Sequence, residues 1–112
     1  VSGSLASHYA PLTPFQVLEG AVIRQILQGS GRYAAIVRDC PEIDTSIKQD
    51  PNVVVLKDEP AAYAHDFYRV LRDLDAGGYT NILVHALPTT PQWAAVQDRL
   101  GRAAHRDLSD NA

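Results

Sequence analysis

Residues 60–78 read PAAYAHDFYRVLRDLDAGG, and no other stretch of the chain keeps its apolar positions in helical time for as long. Ala61, Ala64, Phe67, Leu71 and Leu74 recur at steps of three and four, with Tyr68 and Val70 widening the stripe. His65, Asp66, Arg69 and Asp73 fall on the opposite side, so the spacing predicts a helix with one buried face and one wet face. Asp58 and Glu59 stand just before Pro60, where carboxylates can accept the first free amides and proline is tolerated. Gly77-Gly78 supplies the left-handed stop. Residues 52–56 (NVVVL) and 81–85 (NILVH) flank this helix as apolar runs of strand length, which predicts a strand-helix-strand unit.

The same alternation extends toward the amino end. Residues 15–18 (FQVL) form a short strand candidate, and residues 20–28 form a helix with Val22, Ile23, Ile26 and Leu27 inward and Arg24, Gln25 and Gln28 outward. Gly29-Ser30-Gly31 follows a helix, not a strand, and completes neither GxGxxG nor GxxxxGK[ST], so it reads as a helix stop. Residues 33–37 (YAAIV) are a nearly continuous apolar run, the pattern of a strand covered on both faces. A polar loop is expected over residues 38–51, with one helical turn near Ser46-Ile47-Lys48. Residues 91–105 close the chain as a helix in which Trp93, Val96, Leu100, Ala103 and Ala104 share a face, opposite Asp98, Arg99 and Arg102. Strands alternating with helices predict an α/β fold: a small Rossmann-like, three-layer domain over residues 15–106. Its mainly parallel sheet has about four strands and helices on both faces.

Composition narrows the function classes. The 112 residues suffice for one domain with its own core, and 46% hydrophobic against 21% charged residues marks a folded chain. The apolar runs are far shorter than a membrane span. A net charge of −3 gives no general attraction to phosphate backbones, so neither membrane nor direct nucleic-acid binding is expected. A single cysteine, Cys40, excludes an internal disulfide and any site with several thiolates, and a cytoplasmic location is the simpler expectation. The chain contains no methionine and begins at Val1, which points to a piece of a longer protein. Residues 1–14 (VSGSLASHYAPLTP) hold three serines, a glycine and two prolines without periodicity. They read as a linker arm that Pro11 and Pro14 hold extended, and residues 107–112 read as a polar, frayed tail.

Side chains that could carry chemistry are scattered. His8, His65, His85 and His105 lie at least twenty residues apart, with none of the HxH, HxxH or HExxH spacings of a metal site. His85 ends a strand at the edge where ligands of open α/β sheets gather. With no partner visible in the sequence, packing or loop capping is its simpler role, as an inert small residue is for Cys40. Asp66 with Arg69, Arg69 with Asp73, and Arg72 with Asp75 have the spacing of solvated helical ion pairs. No GxSxG elbow surrounds a serine, and no carboxylate dyad is evident, so no catalytic residue is assigned within these residues.

His8-Tyr9-Ala10-Pro11 on the arm, FYRVLRDLD at residues 67–75, the strand at 81–84 and VQDRLGRAA at 96–104 together resemble the C-terminal domain of two-domain, Sua5-type threonylcarbamoyl-AMP synthases. The resemblance spans nearly the whole chain. It implies a parent enzyme that makes threonylcarbamoyl adenylate from threonine, bicarbonate and ATP with Mg, for the t6A modification of tRNA. It also implies that the chemistry resides in an N-terminal YrdC-like domain of the same chain, that this domain is noncatalytic and holds no cofactor, and that the arm crosses over to close the substrate pocket. His8, Tyr9, Ala10 and Pro11 are the residues the match carries over. The chain departs from the family at Ser2-Gly3-Ser4, where a Pro-Gly-Met type sequence is common, and at residues 89–93 (TTPQW), which replace a glycine-containing turn. A free-standing Rossmann-type nucleotide- or effector-binding module is the alternative. A receiver-like domain fits poorly, because Glu19 is a lone acid after the first strand and no lysine follows the strand ending at His85.

Overall fold

The computed structural model describes residues 11–111, with side chains as far as Arg102. Strands β1 (Phe15–Leu18), β2 (Tyr33–Arg38), β3 (Val53–Leu56) and β4 (Asn81–His85) form one sheet in the order β1-β4-β2-β3. All three pairings are parallel. Helices α1 (Gly20–Gln28), α2 (Thr45–Lys48), α3 (Pro60–Asp75) and α4 (Ala94–Asn111) make the connections and the closing segment, α4 being preceded by a 3-10 turn, Pro91–Trp93. The Rossmann-like α/β expectation holds.

Two cores lie on either side of the sheet. Ile23, Ala35, Val37, Cys40, Ile43, Ile47 and Leu83 form one beneath α1 and α2. On the other face α3 and α4 bring Tyr63, Phe67, Leu71, Leu74, Trp93, Val96 and Leu100 onto Ala34, Ile36, Ile82 and Val84. The division follows from crossover handedness. β1 to β2 and β2 to β3 move one way across the sheet, β3 to β4 moves back, and right-handed connections must then lie on opposite faces. β2 and β4 are the central strands, hence their unbroken apolar runs, with Ala34 through Val37 and Ile82 through Val84 at most 1% exposed.

Helix α3 packs as its periodicity predicts: Phe67, Leu71 and Leu74 are buried with Val84, and His65 is exposed. Two apolar assignments fail. Ala61 is exposed, and its place in the buried stripe is taken by Tyr63, which is 1% exposed, stacks on Phe67 at 5.5 Å and meets Trp93 edge-on. Val22 is 40% exposed: α1 lies over the central strands, and Ile23, packed with Ala35, Val37 and Leu83, alone of its apolar residues is fully enclosed. Asp66 is half-buried, held by His65 at 3.1 Å and Arg69 at 3.5 Å. β3 starts at Val53, and β2 extends one residue further, to Arg38. The backbone of the last helix stays helical to Asn111, past the expected end at His105. Among the described residues no helix is long and apolar enough to cross a membrane.

Candidate functional site

The carboxyl edge of the sheet is where polar side chains are drawn inward. Arg38 ends β2 and is only 5% exposed. The β2-β3 register sets Arg38 opposite Leu56, so Asp58, two residues further on, falls within reach. Arg38 donates to the Asp58 carboxylate at 2.8 Å and to the carbonyl of Ala86 at 3.2 Å, and its guanidinium lies over the Trp93 ring, 5.8 Å from the centroid. Glu42 stands a looser 3.7 Å away. Asp58 is therefore Arg38's partner, while Glu59 caps α3 as expected, accepting from the amides of Ala61 and Ala62. One ion thus ties together β2, β3 and the loop after β4. Arg38 Nε and the Tyr63 hydroxyl are buried without a hydrogen-bond partner among the described residues, two polar atoms left for water or a ligand to satisfy. Burial pushes the Tyr63 phenol well above its ordinary range, with Arg38 pulling weakly the other way, so it stays a neutral donor.

His85 ends β4 on the opposite face. It is 1% exposed, with Nδ1 lacking a partner among the described residues. Burial first, and then the Arg38 charge, depress its pKa below the usual imidazole value, opposed by Glu42, Glu19 and Asp58. The ring is consequently neutral near pH 7. Gly20, at the start of α1, lets this helix end come close: a Cβ there would stand 3.0 Å from Ile43 Cδ1 and 3.6 Å from His85 Nε2. The β1-α1 turn carries Glu19 at the N-cap, with no side-chain hydrogen bond to the helix. A carboxylate at that point is the wrong charge for the phosphate that a dinucleotide-binding fold receives there, which counts against the nucleotide-module alternative. Beside this edge, Thr89, Thr90, Pro91 and the first turns of α4 bound an open groove of about 650 Å³.

The amino edge holds the root of the arm. Pro11 is buried, and the Asp75 carboxylate at the end of α3 accepts from the backbone N–H of Leu12 (3.1 Å) and Thr13 (2.8 Å) and from the Thr13 hydroxyl (2.7 Å). Helical spacing offers Asp75 to Arg72, but the fold turns its carboxylate to the arm. The Pro14 carbonyl then accepts from Ile82 N–H, continuing the β1-β4 pairing backward. His8, Tyr9 and Ala10 lie outside the described residues.

Compared with protein families, residues 1–105 match the model of the threonylcarbamoyl-AMP synthase C-terminal domain, Sua5_C. The chain belongs to the Sua5 C-terminal domain family. Comparison with curated proteins and with solved structures returned no match. The matched span of this Sua5 domain takes in the arm as well as the whole sheet, so HYAP at residues 8–11 belongs to the family segment and not to an unrelated leader. Sequence reasoning missed Arg38 and Tyr63. A charge terminating the apolar run YAAIV was the available signal for the first; the second was hidden among alanines in a helix whose stripe could be drawn through either Ala61 or Tyr63.

Proposed function

We propose that this Sua5 domain is the noncatalytic, arm-bearing part of a threonylcarbamoyl-AMP synthase. Residues 1–14 form the arm that, from its root on this domain, crosses to an N-terminal YrdC-like domain and helps close the pocket where threonine, bicarbonate and ATP with Mg form threonylcarbamoyl adenylate, in the cytoplasm and for t6A in tRNA. The observation that carries this reading is the family match running through the arm as well as the α/β body. The anchoring of Leu12 and Thr13 on Asp75 supports it, because a fixed root limits the directions in which the preceding residues can leave. Pro11 and Pro14 reduce the order that closure must impose. Tyr9 suits the covering role, since a flat amphipathic ring can lie over a bound nucleotide or donate one hydrogen bond at small entropic cost.

The test is made in the two-domain enzyme. Tyr9→Ala and His8→Ala should lower kcat/KM for adenylate formation while leaving the unfolding midpoint of the 112-residue domain within error. Full activity with a lowered midpoint would make the pair structural packing and overturn the lid reading. The domain by itself should release no pyrophosphate from ATP with threonine and bicarbonate above a protein-free blank.

A further inference from the structure

Cys40 and Glu42, two residues apart on the loop after β2, meet the last residue of β4. One donor atom each from the Cys40 thiol, the Glu42 carboxylate and the His85 imidazole lies within 4.8 Å of the other two. We propose that Cys40, Glu42 and His85 bind a zinc ion, with a fourth coordination position left to water or an incoming ligand.

The donor chemistry selects the metal. One sulfur, one nitrogen and one oxygen suit borderline-soft zinc, whereas magnesium and calcium take oxygen ligands. A second, independent observation points the same way: His85 is 1% exposed, and its Nδ1 has no hydrogen-bond partner among the described residues. A buried imidazole with an unsatisfied nitrogen is the state in which coordination, or a partner to the second nitrogen of a coordinated ring, compensates a lost interaction with water. Charge agrees. Among the described residues, the groups whose fields reach His85 are the carboxylates of Glu42, Glu19 and Asp58 and the guanidinium of Arg38, which Asp58 already neutralises at 2.8 Å. The positive amino end of α1 opposes a cation, but Glu19 stands at that helix end.

Geometry requires a small closure. Tetrahedral zinc with Zn–N near 2.0 Å and Zn–S near 2.3 Å places its ligand atoms about 3.3–3.6 Å apart, so the three donors must draw together by at most about 1–1.5 Å. Cys40 and His85 are buried and already placed, whereas the Glu42 side chain is 63% exposed and loosely held, free to swing in. On binding, the Cys40 S–H proton leaves to solvent as the thiolate-zinc bond forms, so one proton is released for this ligand. The ion would clamp the loop after β2 to the end of β4, closing the carboxyl edge beside the start of α1. Three protein ligands are the count of an open rather than a closed zinc site.

The experiment uses the 112-residue chain without a polyhistidine tag, stripped with chelator and then exchanged into metal-free buffer. Zinc chloride titrated calorimetrically should bind with one tight equivalent and raise the unfolding temperature. Cobalt(II) should give a near-ultraviolet thiolate charge-transfer band and the strong visible bands of a tetrahedral site. Cys40→Ser should abolish the charge-transfer band, and Glu42→Gln, at an exposed position that leaves folding intact, should weaken zinc binding by about tenfold or more. Zinc failing to compete with a micromolar chromophoric chelator would overturn the proposal. So would zinc bound with equal affinity by wild type, Cys40→Ser and Glu42→Gln, which would place the ion on the other histidines.

Discussion

Replacing Asp75 by alanine asks whether the root of the arm is fastened to the domain or merely lies against it. Among the described residues its carboxylate accepts three hydrogen bonds from positions more than sixty away, two of them from Thr13, which is 9% exposed, and one from the backbone of exposed Leu12. Hydrogen bonds to a charged acceptor are worth roughly 1.5–3 kcal/mol each when sheltered. Three donors sharing one acceptor are not additive, and the exposed bond adds little, so the expected loss for Asp75→Ala is about 2–4 kcal/mol. Thr13→Val removes only the hydroxyl and should cost about 1 kcal/mol. Most of that cost should vanish in the Asp75→Ala background, because the acceptor is already gone. Urea denaturation of the four proteins at one pH gives the cycle, and amide exchange at Leu12 and Thr13 reports the root directly. In Asp75→Ala both amides should lose protection while Ile82, bonded to the Pro14 carbonyl, keeps more of its own. A loss below about 0.5 kcal/mol together with unchanged exchange at Leu12 and Thr13 would refute the reasoning, since surface substitutions that touch nothing fall in that range.

Leu71, fully buried in the α3-α4 core, should lose about 2–5 kcal/mol on truncation to alanine; Val22→Ala, at a position 40% exposed, should lose much less, and equal midpoints in urea would mean that the buried face of α3 is misassigned. His85 makes stability depend on pH: its folded pKa is depressed by burial and by Arg38, while the unfolded ring takes a proton near pH 6.5. Above that value neither state is protonated and the residue contributes no pH dependence. As pH falls through about 6.5 the unfolded state gains a proton that the folded state does not, so stability should decline until the lower folded pKa is reached. With chelator present, the fall in urea midpoint between about pH 7.5 and 5.5 should shrink in His85→Gln, and an identical fall in both proteins would remove His85 as its source.

Local signals on this chain were strong wherever one physical rule acted within a few residues. The bounds of α1, β1 and β4, the Glu59 cap and the left-handed stop at Gly78, whose φ is 77°, were legible because strand propensity, helical period, capping and the glycine backbone are short-range. The parallel class was legible from alternation alone, and HYAP with the helix motifs pointed to the Sua5 family. Strand order was not, because apolar runs do not say which neighbour they pair with, and β4 comes to lie between β1 and β2 only once crossover handedness acts on the whole sheet. The same holds for the polar groups. Asp75 and Asp58 looked like exposed helix-end carboxylates, and became an arm anchor and an arginine partner because parallel pairing brings distant strand ends to one edge. Arg38, Cys40, Glu42 and His85 share no sequence spacing that announces a site. Burial left His85 and Arg38 each with a hydrogen-bonding atom unmet among the described residues, and only packing two strands side by side could place the thiol, carboxylate and imidazole within reach of one ion.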